Sequence, residues 1–192
     1  MTMKIGPFTV ERRSRPTDAD ELVQLQKLFA AARQDDLPAL QNLLSEGLDI
    51  QLRDEKMHTL LHLAHRGDTV TFLLQCKCDP LALDIEQSTT LMHPGLDAEA
   101  NRLLLAHGVN LHARDLHGHT ALYRQCDFSG IGWDNPDLEA LQVLLAEGIA
   151  RGNQDEIETI IEIAAQRVTS AGENNDVATL ARFLRKYEPP GG

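Results

Sequence analysis

The sequence predicts an all-α fold, a solenoid of about five stacked helix–turn–helix units joined by short hairpin-like turns. Three observations lead there. Hydrophobic residues make up 42 % of the 192 residues but aromatics only 4 %, so a core must be built largely from Leu and Ala, which favour helices packed through aliphatic ridges. A pattern in which Asp precedes Thr by five positions and Leu by seven occurs three times, from Asp54, Asp84 and Asp115. A Leu-Leu pair followed by Gly occurs at Leu43-Leu44 with Gly47, Leu104-Leu105 with Gly108 and Leu144-Leu145 with Gly148, and again at Leu73-Leu74 with Lys77 in the glycine's place.

Positions 47, 77, 108 and 148 lie 30, 31 and 40 residues apart, which reads as a period of about 33 with short deletions and one insertion. Within a unit, Thr59, Thr89 or Thr120 starts a short helix, its hydroxyl available to free amide groups of the first turn. A second helix ends at the glycine, which adopts a left-handed conformation that costs other residues energy. A turn such as Asp115 to Gly118 then leads onward. The first unit lacks the Thr signature but keeps two helices, one capped by Thr17 or Asp18 and running to about Arg33, the other from Leu37 to Ser45. The last unit has a helix from Glu156 to Val168 and another from Val177 to Lys186. Degenerate ends suit a solenoid, whose terminal units cover the core with a polar face. The expected organisation is an extended lead-in at 1–16, the solenoid at 17–188 and a frayed tail at 189–192.

These residues resemble the ankyrin repeat, whose pattern D-x-x-G-x-T-P-L-H-x-A is followed by V-x-x-L-L-x-x-G. The likeness runs from about Leu22 to Lys186. Leu60, Thr90 and Ala121 replace the pattern's Pro, and only His62 keeps its His. Met57 and Gln87 stand where Gly is usual, which predicts distorted or differently paired turns. The resemblance implies a binding module rather than an enzyme.

Charge narrows the partners. Six of 18 basic and four of 29 acidic residues fall within 1–33, so the remaining 159 residues carry 12 basic and 25 acidic side chains, a net of −13. Such a body repels nucleic acid and anionic lipid and favours cationic partners, although the same balance also serves solubility. Arg12, Arg13 and Arg15 form the one cationic cluster, without interleaved aromatics, and read as a solvated lead-in. No run of 18 apolar residues and no secretory signal is visible, and three cysteines do not form a disulfide framework, so a cytoplasmic setting is expected.

Reactive chemistry finds little support. His58, His62 and His65 with Cys76-x-Cys78 invite a metal reading, but the spacing matches no usual zinc pattern, and structural roles are expected for all five. Cys126 lies on an apolar face after Leu122 and reads as core. No G-x-S-x-G, phosphate-binding glycine loop or H-E-x-x-H is present. No enzyme activity, cofactor or metal is therefore expected. The insertion between Cys126 and Asp137 holds the only Trp; Phe128 and Trp133 there either fold back onto the solenoid or form an exposed aromatic anchor. The contact candidates are Asp54, Glu55, Asp84, Glu86, Asp115 and His117 at the turn tips, with Phe128 and Trp133. The expected function is to hold another, basic protein while being a monomer when free. An inhibitor such as an immunity protein that occupies a toxin is one form of this role, a scaffold or adaptor another, and a His/Cys metal-dependent regulator or enzyme the rival from a different class.

Overall fold

The computed structural model describes residues 2–5, 8–11, 19–125, 138–150, 155, 158–160, 182 and 186. Its body is helical. In chain order come α1 (Ala19–Arg33), α2 (Leu37–Ser45), α3 (Leu60–Leu63), α4 (Gly67–Gln75), a 3-10 turn (Thr90–Met92), α5 (Ala98–Ala106), α6 (Ala121–Gln125) and α7 (Leu138–Ala150). Within the segment expected as an extended lead-in, β1 (Thr2–Ile5) and β2 (Phe8–Glu11) pair antiparallel, with Thr2 opposite Glu11 and Ile5 opposite Phe8. That hairpin departs from a purely helical chain, because composition alone does not reveal pairing between two short extended segments.

Local chemistry sets the helix ends. Asp36 caps α2 by accepting the Ala39 amide hydrogen at 3.0 Å, and Pro38 sits in the first turn, where no amide donor is needed. Asp97 caps α5 through Ala100 at 2.8 Å. Gly47, Lys77 and Gly108 follow α2, α4 and α5 with φ of 96°, 67° and 85°, so the lysine takes the same left-handed place as the glycines. The threonines behave less uniformly than expected. Thr120 Oγ1 accepts the Tyr123 amide at 3.3 Å, Thr59 and His62 cap one another, and the Thr89 hydroxyl is buried without a hydrogen-bond partner among the described residues.

Two rows of helices result. In one row α1 touches α3, α3 touches the 3-10 turn, and that turn touches α6. In the other, α2, α4, α5 and α7 pack in succession, and each first-row element also meets its own second-row partner. Leu28, Leu60, Leu61 and Leu91 from the first row and Leu40, Leu44, Leu73, Leu104, Leu141 and Leu144 from the second fill the seam between them. Each Leu buried in this way contributes roughly 1.5–3 kcal/mol relative to exposure. The backbones approach closely at Gly67, where a Cβ would lie 2.6 Å from Glu99 Cγ, so α4 starts this near α5 only because residue 67 has no side chain.

Polar bonds repeat at the same chain separation. Asp35 Oδ1 accepts the amide hydrogens of His65 and Arg66, and Asp97 Oδ2 accepts that of Gly67. Farther along, buried Asn101 and Gln125 bond each other; Asn101 also donates to the Ala140 carbonyl at 3.1 Å and Gln125 to that of Leu91 at 2.9 Å. These two amides tie α5, α6, α7 and the 3-10 turn together and satisfy groups that would be costly to bury unpaired.

Candidate functional site at the turn tips

Three turns carry most of the candidate residues, and they are built alike. The amide of Asp54 donates to the His58 carbonyl at 3.1 Å, that of Asp84 to Ser88 at 3.1 Å and that of Asp115 to His119 at 3.0 Å. Each aspartate turns Oδ1 inward. Asp54 accepts the amides of Lys56 and His58, Asp84 those of Glu86 and Ser88, and Asp115 those of His117 and His119, all between 2.7 and 2.9 Å. The fourth residue of each turn is left-handed, with φ of 63° at Met57, 60° at Gln87 and 80° at Gly118. The expected distortion at Met57 and Gln87 is thus absent. The four amide bonds to Asp54 and Asp84 offset the roughly 1–2 kcal/mol that a left-handed conformation costs each of Met57 and Gln87.

Neighbouring turns are joined edge to edge. The Ile85 amide donates to the Lys56 carbonyl and the Leu116 amide to that of Glu86, both at 2.9 Å. Arg53 reaches the Leu83 carbonyl at 2.9 Å and Gln51 that of Lys77 at 2.8 Å, which reinforces the first junction.

The sequence candidates divide on this geometry. Glu55, Glu86 and His117 are exposed at the tips, whereas Asp54 is half-buried and Asp84 and Asp115 are buried. Their Oδ1 atoms hold the turns through the short amide bonds they accept. The tips also carry apolar groups that were not singled out. Ile85 is 61 % exposed and Leu116 62 %, with Met57 and Leu83 exposed beside them. Phe128, Trp133 and Cys126 lie outside the described residues, as does most of the last unit.

Behind the tips sits a cluster of imidazoles. His58 Nδ1 lies 2.9 Å from Asp54 Oδ2, and its Nε2 lies 3.6 Å from Asp84 Oδ2. His93 Nε2 is also 3.6 Å from Asp84 Oδ2, and the His93 ring meets those of His58 and His62 edge-on at 5.0 and 5.1 Å. His62 Nδ1 faces the amide and hydroxyl of Thr59 at 3.1 and 2.9 Å, while Nε2 faces the Ser88 carbonyl at 3.4 Å. Burial lowers His62 to about 4, despite the Ser88 bond, and lowers His93 to about 3, helped by repulsion from the neighbouring histidines. Both rings are neutral at physiological pH.

The grouping suggested by sequence proximity does not form. His65 pairs with Asp35 at 3.4 Å, and Cys76 and Cys78 are buried, burial pushing the Cys78 thiol up to about 11. A thiol in that state is a poor nucleophile and a poor metal ligand. His93 and Arg124, which sequence reasoning passed over, are brought to the turns instead. Both lie nine residues after the turn aspartate of their copy, Asp84 and Asp115, and superposing the copies in register would have exposed them. Arg124 Nε donates to Asp115 Oδ2 at 2.6 Å and its terminal nitrogen to Glu86 at 3.1 Å. Burial opposes ionisation of Asp115, but the His119 amide, Arg124 and the His117 amide together hold its carboxyl below the ordinary value.

Among the described residues no helix is long and apolar enough to cross a membrane. Comparison with protein-family models found no match, and comparison with curated proteins found no significant match.

Proposed function

We propose that the chain is an ankyrin-type repeat solenoid that binds a cationic partner protein through its row of turn tips and thereby inhibits it, as an immunity protein neutralises a toxin. The observation that carries this reading is the tip row itself. Ile85 and Leu116 belong to adjacent turns that are hydrogen-bonded edge to edge, and both side chains are largely exposed. Exposed apolar groups flanked by polar ones, here Glu55, Glu86 and His117, mark protein-contact surfaces. The net charge of −11 acts over a longer range, drawing a basic partner toward the tips before the apolar contacts form. Binding rather than catalysis fits turns that place no activated nucleophile at the surface.

The test pairs capture with variants. Immobilised wild-type chain retains a basic protein from the source lysate, and the Ile85→Arg/Leu116→Arg double variant binds that protein at least tenfold more weakly, a change of about 1.4 kcal/mol or more. Its melting temperature stays unchanged, because both side chains are exposed. Equal binding by the double variant removes the tips from the interface. Association rates that ignore salt remove the electrostatic part of the reading.

A further inference from the structure

Asp84 and Asp115 stand at the same point of consecutive turns, each with Oδ1 committed to two backbone amides. Their second oxygens meet different company. At Asp115 a permanent cation, Arg124, occupies Oδ2. In the preceding copy the residue at Arg124's position is His93, and Asp84 Oδ2 faces two imidazole nitrogens, Nε2 of His58 and Nε2 of His93, each at 3.6 Å. That separation is too long for a hydrogen bond. It suits two donors on one ion, since ligand atoms held about 2.0–2.2 Å from a tetrahedral zinc lie about 3.3–3.6 Å from one another.

The three donor atoms are grouped and little exposed. They lie within 4.8 Å of one another, from side chains only 5 %, 12 % and 19 % exposed for Asp84, His58 and His93. His58 is oriented by its other nitrogen, whose hydrogen goes to Asp54 Oδ2, the carboxylate–histidine relay that fixes a ligating tautomer and leaves Nε2 with its lone pair. His93 Nε2 is buried without a hydrogen-bond partner among the described residues, and alone of the atoms in that condition it faces the second oxygen of Asp84. His62, although adjacent, spends its nitrogens on Thr59 and Ser88.

We propose that His58, Asp84 and His93 bind one divalent first-row transition-metal ion, zinc being the best match, with a fourth position open to water. The ion supplies Asp84 with the positive charge that Arg124 supplies to Asp115. Its ligands come from two neighbouring turns and from the residue after the 3-10 turn, so it clamps one unit to the next. The inference is independent of the partner reading.

The test uses the full chain, stripped with a chelator and titrated with zinc chloride at neutral pH. Calorimetry is expected to give one zinc per chain and a melting temperature that rises with zinc, and cobalt(II) to give the intense visible absorption of a four-coordinate site. His93→Ala weakens zinc binding at least tenfold. Asp84→Asn, which keeps the oxygen that accepts the Glu86 and Ser88 amides and so preserves the turn, does the same. His93→Arg abolishes binding while leaving the metal-free protein folded, and His107→Ala, away from the cluster, leaves affinity unchanged. Absence of zinc binding in the stripped, folded wild-type chain overturns the proposal. So does zinc binding that survives both His93→Ala and Asp84→Asn.

Discussion

The junction between the Asp54 and Asp84 turns and the junction between the Asp84 and Asp115 turns share one backbone plan but not one electrostatic plan. Each is closed by a single main-chain bond of 2.9 Å between the same turn positions. The second is completed by Arg124, which bridges Asp115 and Glu86 across it. The first is completed by the imidazoles of His58 and His93 on either side of the Asp84 carboxylate. The backbone geometry of a repeat therefore does not determine its chemistry. The residue nine places after the turn aspartate decides whether the second carboxylate oxygen meets a guanidinium, as at Asp115, or an imidazole, as at Asp84.

The contrast is sharpest in stability. Asp115→Ala removes the oxygen that accepts two amide hydrogens and leaves Arg124 without its buried partner, so a loss of about 2–4 kcal/mol is expected in urea unfolding. The same change at Asp84, made in chelator, removes the oxygen that accepts two amide hydrogens but no pair with a guanidinium and should cost about 2 kcal/mol. Equal losses would erase the distinction between the junctions. A smaller effect comes with pH. Asp115 is held below the ordinary carboxyl value of 3.8, so its contribution is complete above that pH and is lost as the pH falls through its own lower value. The stability gap between wild type and Asp115→Asn should therefore narrow on acidification toward pH 3.8 and below; a gap that widens would contradict the assignment.

The smallest effects test the shared backbone. Met57→Gly and Gln87→Gly should each stabilise by about 0.5–1 kcal/mol, because both residues are left-handed, and Gly118→Ala should destabilise by about 1 kcal/mol. Thermal melts that move in the same direction for all three would mean the turns are not equivalent.

Much of the helical plan was legible in the sequence. The second helix of the first unit was expected at Leu37 to Ser45 and is found there, because Asp36, Pro38 and Gly47 punctuate it locally. The three turns were legible from the Asp-to-Thr spacing, but their regularity was underestimated, since a glycine rule applied to Met57 and Gln87 ignores what the aspartate side chains contribute. The histidine cluster was not legible by proximity along the chain. His58 and Asp84 belong to successive copies, and His93 lies beyond a 3-10 turn, whereas the conspicuous His65, Cys76 and Cys78 point to other neighbours. Nor did composition reveal which tip side chains are exposed: Asp84 and Ile85 are adjacent in sequence, and one is buried while the other is largely in solvent.

The matching main-chain bonds at Lys56–Ile85 and Glu86–Leu116 make the turn junctions interchangeable. Excising residues 84–114 would bring the Leu116 amide to the place Ile85 held against Lys56, with Arg124 arriving where His93 had been. The shortened chain would then seat a guanidinium beside His58. A single in-frame deletion would thus exchange a removable ion for a built-in one, and by this route an array of this design can gain or lose a dependence on dissolved metal without redesigning a turn.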